Sequence, residues 1–138
     1  MREYSYKEIS LGLTESFSVT ITKEMHADFS HNSGDINPMH MNIEYAESHG
    51  YHDVVVFGML TASFYSTLVG VYLPGRYALL QSVNTTFHAP VFIGDTLIIT
   101  GSVVELRDKY NMIGIKAKIT NQNGKTVSRA MISSGVLH

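Results

Sequence analysis

An aspartate and a histidine in one turn-forming segment are the first candidates for chemistry in this sequence. Asp35 and His40 lie in SGDINPMH, where Gly34 and the pair Asn37-Pro38 predict a turn. Acid–base catalysis needs two titratable groups with different roles near one reacting atom, and such a turn can direct both side chains to a single water. The alternative is a carboxylate that caps the turn and a histidine that begins a helix, both solvated. On spacing alone, that alternative is favoured.

Gly58 is the second candidate, because it stands where a strongly apolar segment begins. In Phe57-Gly58-Met59-Leu60 it opens a predicted helix. The first turn of a helix presents unpaired N–H groups and positive potential, which suit a developing oxyanion. A residue without a side chain would also let a substrate carbonyl approach its amide closely. The plainer interpretation, that glycine only eases a turn into the helix, is favoured by this motif alone.

The elements that would position these residues follow from cap residues and hydrophobic spacing. Thr22 and Asn42 are suitable helix N-caps, and Gly50 is a suitable stop. Residues 59–73 form a further predicted helix, which Pro74–Gly75 ends. Its apolar residues occupy most of the helix circumference, which is typical of a buried helix. The predicted elements are a strand at 15–22, helices at 23–33, 42–49 and 59–73, and strands at 77–89, 96–106, 112–120 and 126–137.

The second half of the chain predicts an antiparallel sheet. Its last three strands are joined by short turns, at residues 108–111 and 121–124, and residues 112–120 alternate cleanly between apolar and polar. One buried helix packed on such a sheet makes an α+β domain. The length of 138 residues fits a single domain spanning residues 1–138. The order of the strands in the sheet does not follow from the pattern.

Composition restricts the classes of function. Hydrophobic residues make up 44% and charged residues 16% of the chain, and this shortage of charge hints at surface covered by a partner subunit. A net charge of −2 gives no footprint for nucleic acid. The absence of cysteine excludes disulfides and thiol catalysis. With no apolar leader at the N-terminus and no stretch near the ~18 apolar residues of a membrane span, we expect a soluble, cytoplasmic protein.

A metal site is the rival interpretation of the histidines. Imidazole and carboxylate groups that suit zinc or iron form a loose cluster in the sequence, comprising His40, His49, His52 and Asp53. Their spacing matches no tight ligand motif, so we expect no metal. The other histidines singled out, His26, His31 and His88, are expected to be surface or structural residues. Three methionines are expected to fill the core, namely Met39, Met41 and Met59.

Several blocks of the sequence together resemble a known family. SGDINPMH followed by Ala46, then VVFGMLTASFYSTLVGVYLPG, then LLQSVNTTFHAPVFIGDTL are similar, in the same order, to the MaoC-like (R)-specific enoyl-CoA hydratases, over about two-thirds of the chain. The resemblance implies a hotdog fold, in which a curved antiparallel sheet wraps a central helix. It also implies that Asp35 and His40 are the catalytic pair, that the Gly58 amide binds the thioester carbonyl, and that Ser66 supports the site by hydrogen bonding.

Two positions depart from the family pattern. Phe57 stands where the family often has histidine, a change that is expected to alter the pocket wall while leaving the Gly58 amide available. Asn42 stands where the family commonly has aspartate, two residues after the catalytic histidine. Since asparagine caps helices about as well as aspartate, we interpret Asn42 as structural.

The resemblance implies hydration of a trans-2-enoyl thioester to an (R)-3-hydroxyacyl thioester, or the reverse dehydration. The acyl group would be carried on coenzyme A or acyl carrier protein, no cofactor would be needed, and the chain would form a homodimer or larger homo-oligomer. Which of Asp35 and His40 is the base is left open. The alternatives are a hotdog acyl-CoA thioesterase and a non-catalytic acyl-thioester-binding subunit. Retention of both Asp35 and His40 favours the hydratase over each of them.

Overall fold

The helices of the chain precede most of its strands. The computed structural model describes all residues from Met1 to His138. The elements, in chain order, are β1 (Thr14–Thr20), α1 (Lys23–Ser33), α2 (Pro38–Met41), α3 (Ile43–Ser48), α4 (Gly58–Thr67), β2 (Ala78–Phe87), β3 (Thr96–Arg107), β4 (Met112–Thr120) and β5 (Thr126–Val136). Short 3₁₀ turns occur at Tyr6–Glu8 and Asp108–Tyr110. None of the helices has both the length and the apolar character needed to cross a membrane.

All five strands form one antiparallel sheet in the order β1-β3-β4-β5-β2. The predicted meander of β3, β4 and β5 is confirmed. β2 precedes β3 in the chain but pairs with β5, the last strand. Because β5 is its only neighbour, β2 is an edge strand. This crossover is the feature that local patterns left undetermined.

Helix α4 packs on the sheet because both surfaces are apolar. The predicted inward face of β4 is buried, and so are α4 residues Leu60, Phe64 and Tyr65. At Gly101 of β3, an added Cβ would lie 2.6 Å from Leu68 Cδ2. Glycine at this position therefore lets the helix lie close against the sheet.

The central helix differs from its prediction in two ways. It is α-helical only over Gly58–Thr67, and Leu68–Tyr72 continue it as a wider π-helical turn, which hydrophobic spacing does not distinguish from an α-helix. It also carries an exposed stripe of Met59, Ser63 and Ser66, at positions i, i+4 and i+7. Met59, predicted to fill the core, is 63% exposed. Because the helix is apolar on nearly every side, its sequence pattern does not predict which face is exposed to solvent.

The turn that carries the candidate pair is more regular than predicted. Pro38–Met41 form the one-turn helix α2, with Pro38 at its first position. Its N-cap is Asn37, whose Oδ1 accepts a hydrogen bond from the Met39 amide at 3.0 Å. His40 therefore projects from a helical turn, and only Asp35 lies on irregular backbone. A single turn of helix is too short to produce a hydrophobic period.

A relay of hydroxyl groups ties α4 to the two strands at one edge of the sheet. Tyr65 Oη donates to Ser128 Oγ at 2.8 Å, and Ser128 lies 3.0 Å from Thr85 Oγ1. Thr85 donates to the Arg129 carbonyl at 2.9 Å, so Ser128 is the donor to Thr85. Burial raises the pKa of Tyr65, while the Ser128 hydrogen bond opposes this shift. The relay connects the central helix to β5 and β2.

We expect Tyr65→Phe to lower the free energy of unfolding at pH 7 by about 1–2 kcal/mol, because the buried Ser128 loses its donor. The raised pKa adds a pH dependence. The neutral phenol stabilises the fold below the unfolded-state pKa of about 10, and that stability is lost as the pH rises through the folded-state pKa. The difference between wild type and variant should therefore shrink above pH 10 in urea denaturation. Tyr72→Phe is the control, since Tyr72 packs by stacking on Phe17 at 4.7 Å; equal losses in both variants would contradict the relay.

Candidate active site

Three of the four predicted site residues line one cavity. Asp35, His40 and Gly58 meet at a space of about 350 Å³ whose other walls are Phe29, Ser33, Phe57, Met59 and Phe87. Asp35 follows α1, His40 lies in α2, and Gly58 begins α4. The fold therefore brings together side chains and an amide from three separate elements.

The loop after α1 holds Asp35 through its backbone. Its carbonyl accepts the hydroxyl of buried Ser30 at 2.8 Å, and its amide donates to Ser33 Oγ at 3.2 Å. The carboxylate oxygen Oδ1 accepts the Asn37 amide at 3.0 Å. The second oxygen, Oδ2, makes no hydrogen bond within the chain. An exposed carboxylate with one oxygen anchored and one free is suited to bind a water or a substrate proton.

His40 is oriented by a main-chain acceptor. Its Nδ1 lies 2.6 Å from the Val55 carbonyl oxygen, and because a carbonyl only accepts, Nδ1 carries the proton in the neutral ring. The free lone pair is then on Nε2. The carbonyl of His40 itself accepts the Nε2–H of His26 at 2.8 Å. Both the ring and the backbone of His40 are thus held in place, which leaves Nε2 available as a base.

Phe57 forms the floor of the site. It is 1% exposed, and its ring lies 4.2 Å from that of His40, 4.6 Å from His26 and 4.9 Å from Phe29, measured between ring centroids. The structural role predicted for His26 agrees with its burial in this cluster. What the sequence did not reveal is that His26 contacts the backbone of His40, since no motif links these two positions.

Gly58 begins α4 close to the ring of Phe87. The preceding Phe57 gives no side-chain cap, so the first amides of the helix stay unpaired. A Cβ added at Gly58 would lie 3.3 Å from two ring atoms of Phe87, at the end of β2. The Phe87 ring therefore lies against the position of the missing side chain, and a larger residue at Gly58 would press on this ring. The Gly58 amide itself remains unpaired at the cavity.

A second cavity of about 340 Å³ shares His40, Gly58 and Phe87 with the first. It extends past Tyr51, Thr61, His88, Val127 and neighbouring residues. His88, predicted to be a surface or structural residue, is exposed but also lines this cavity. Both cavities therefore reach His40, Gly58 and Phe87, whereas Asp35 lines only the first.

Ser66 is the predicted residue that the structure keeps apart from the others. It is exposed and lines an apolar groove of about 340 Å³ between α4 and β2, together with Leu80 and Val83. That groove shares Phe29 and Met59 with the Asp35 cavity, so Ser66 lies beside the site rather than in it.

The loose histidine cluster does not converge. No three His, Asp or Glu side chains come together as metal ligands. His49 packs on Tyr45 and His52 packs on Phe92, with ring centroids 4.3 and 4.1 Å apart. Asn42, by contrast, has the structural role predicted for it, because its Oδ1 accepts the Tyr45 amide at the start of α3.

Comparison with known proteins gives a consistent result. The sequence matches the family model described as MaoC like domain over residues 8–128. The chain belongs to the MaoC-like family. An (R)-specific enoyl-CoA hydratase from Rhodospirillum rubrum is 32% identical over 115 residues, which cover 83% of this MaoC-like chain and 80% of that protein. An (R)-specific enoyl-CoA hydratase from Aeromonas caviae is 33% identical over 98 residues, covering 71% and 73%.

The fold of this MaoC-like chain agrees with a solved structure. The (R)-hydratase from A. caviae superposes with a TM-score of 0.90 at 26% identity, covering 94% of this chain and 98% of that one. The predicted hotdog fold, a central helix wrapped by an antiparallel sheet, is confirmed.

The ring cluster under His40 generates a testable expectation. In wild type, the Nδ1–H of His40 should give a slowly exchanging proton signal in ¹⁵N-edited NMR, because it is bonded to Val55 and shielded by Phe57. Phe57→Leu should broaden or abolish that signal, since the smaller side chain lets the imidazole move. Phe17→Leu, which removes a ring that stacks on Tyr72 at the edge of the sheet opposite β2, should leave it unchanged. Loss of the signal in the His40→Gln variant assigns it, and an Nε2–H pattern for His40 would contradict the proposed tautomer.

Proposed function

We propose that residues 1–138 act as one domain that hydrates trans-2-enoyl thioesters to (R)-3-hydroxyacyl thioesters, or catalyses the reverse dehydration. The observation that carries this proposal is the meeting of Asp35, His40 and the unpaired Gly58 amide at one cavity. Family membership and the names of the relatives, (R)-specific enoyl-CoA hydratases among them, support the same reaction. The acyl group would be carried on coenzyme A or acyl carrier protein.

The Gly58 amide would bind the thioester carbonyl. A hydrogen bond to this oxygen draws electron density from the C2–C3 double bond and stabilises the enolate that develops as water adds. One preorganised donor of this kind is worth about 3–4 kcal/mol in the transition state. The unpaired Gly58 amide in the cavity wall supports this role, because a carbonyl must come within hydrogen-bond distance of the amide.

Asp35 and His40 would share the proton transfers. Water held between Asp35 Oδ2 and His40 Nε2 forms its C–O bond at C3 while one of the two groups takes its proton. That proton is then delivered to C2 on the same face, as the electron pair of the enolate forms the C2–H bond; the thioester is restored and both groups return to their starting state. Both groups have a free acceptor atom at the cavity, and both are fixed by backbone hydrogen bonds that limit their motion.

Ser66 would contribute from the neighbouring groove rather than by contact with the reacting atoms. The groove is strongly apolar and continues the Asp35 cavity past Phe29 and Met59. We propose that Ser66 supports substrate binding there.

A cytoplasmic location, where coenzyme A thioesters are found, is also part of the proposal, and cell fractionation tests it.

We further propose a homodimer or larger homo-oligomer that covers β2. This strand pairs only with β5, so its other backbone edge is unpaired. Exposed apolar side chains surround it, namely Leu79, Leu80, Val83, Phe87 and Met59. Apolar surface concentrated at an open strand edge supports association between copies.

Sedimentation equilibrium should therefore give a dimer or larger species at micromolar concentration. Val83→Lys should weaken it by placing a charge in the apolar surface. Ile98→Lys on β3 is the control, because Ile98 is similarly exposed, 44% against 37%, and lies away from β2. A wild-type protein that is a stable, active monomer would contradict the proposal.

Asp35 and His40 give the test of the reaction itself. Wild type should consume crotonyl-CoA, followed at the enoyl absorbance, and yield the (R) product by chiral chromatography. Asp35→Asn and His40→Gln should each lower kcat by about 10²–10⁴-fold. The double variant should be little slower than either single variant, because groups that act on one water are not additive. Retained activity with a lowered melting temperature would instead make Asp35 and His40 turn residues, and the proposal would fail.

A further inference from the structure

The hydroxyl of Thr61 is a buried polar group without a partner. Thr61 is 2% exposed, and its Oγ1 makes no hydrogen bond. A helical threonine usually satisfies its hydroxyl on the carbonyl four residues earlier. Here the Phe57 carbonyl accepts the Thr61 amide at 3.2 Å and not the hydroxyl. A valine of the same shape would fill this space without leaving a polar atom unpaired, so the hydroxyl is unexplained by the fold alone.

Thr61 lies one helical turn after Gly58 and lines the same second cavity as Gly58 and His40. Residues three apart share a face of a helix, and the Cα–Cβ bond tilts toward the helix N-terminus. The side chain of Thr61 is therefore directed toward the turn that holds the Gly58 amide. Threonine has two accessible rotamers in a helix, so a rotation about χ1 can redirect the hydroxyl without moving the backbone.

We propose that Thr61 donates a second hydrogen bond to the thioester carbonyl oxygen that the Gly58 amide binds, and so is a further catalytic residue. The inference rests on the proposed hydration reaction. A carbonyl oxygen has two lone pairs and accepts two donors, and it gains negative charge as the enolate develops. The thioester carbonyl oxygen then accepts the hydrogen bond of the Thr61 hydroxyl, for which the chain itself provides no acceptor.

Thr61→Val and Thr61→Ser form a matched pair for the test. Valine keeps the shape and removes the hydroxyl, and its kcat with crotonyl-CoA should fall by about 10²-fold, as when one donor is removed from an oxyanion hole. Serine keeps the hydroxyl and should retain most of the activity. The melting temperature of the valine variant should be equal to or higher than that of wild type, because an unpaired buried hydroxyl has been removed. A structural hydroxyl would give the reverse, lowered stability with retained turnover, and would overturn the proposal.

Isotope-edited infrared spectroscopy of bound butyryl-CoA, labelled with ¹³C at its carbonyl, separates this inference from the reaction. This saturated thioester binds without turnover. Its carbonyl band should lie at lower frequency on wild type and on Thr61→Ser than on Thr61→Val, because a lost donor strengthens the C=O bond. Equal bands and equal kcat values in a folded Thr61→Val protein would overturn the role of Thr61 and leave hydration intact.

A wild type that binds butyryl-CoA but does not hydrate crotonyl-CoA would overturn the proposed function, and the infrared bands would still decide whether Thr61 contacts the carbonyl. A wild type that binds no butyryl-CoA would overturn both. Thr61→Ala replaces the valine variant if valine does not fold.

Discussion

Burial of the Phe57 ring is the interaction on which the site depends. The ring stands at the junction of α1, α2 and α4 and contacts Phe29, His26 and His40, one or two from each neighbouring helix. These contacts set the distance between the histidine and the start of α4. Because the next residue is Gly58, the packing that holds the imidazole also places the amide. A single buried aromatic side chain therefore links the position of His40 to that of the Gly58 amide, although the two lie on different helices.

The sheet supplies the opposite wall of the site through a second set of contacts. Gly101 allows α4 to lie close to the sheet, and the hydroxyl relay from Tyr65 ties the helix to β5 and β2. Since β2 carries Phe87 at its end, the relay also limits how far that ring lies from Gly58. The cavity beside Gly58 therefore has one wall at the start of α4 and another at the end of β2, where the Phe87 ring is 49% exposed.

Local signals predicted what depends on local contacts. The bounds of α1 with its Thr22 cap, and of β4 with its alternation, agree with the sequence because caps and side-chain periods act over a few residues. The edge position of β2, the π-helical turn and the exposed Met59 depend on long-range packing and had no local signal. The same holds for the site. From their spacing alone, Asp35 and His40 were expected to be solvated turn residues. Only the resemblance to the family predicted that they form a site together with Gly58. Ser66 was also assigned by that resemblance, and it lies in the adjoining groove.

Several unpaired polar atoms and exposed apolar side chains lie together at one opening, between α4 and the end of β2. Exposed apolar side chains also occur elsewhere, at Leu11, Tyr110 and Leu137, and the buried His26 Nδ1 also lacks a partner. At the opening, polar atoms lack partners and apolar side chains face solvent, namely Asp35 Oδ2, His40 Nε2, the Gly58 amide, Thr61 Oγ1, Met59, Val83 and Phe87. Proteins keep such local conflicts mainly where function requires them. The unpaired polar atoms would be satisfied by a polarised carbonyl and a water, and the exposed apolar side chains by a second copy of the chain. One opening would then serve two ligands, a small thioester and the surface of a second copy of the chain.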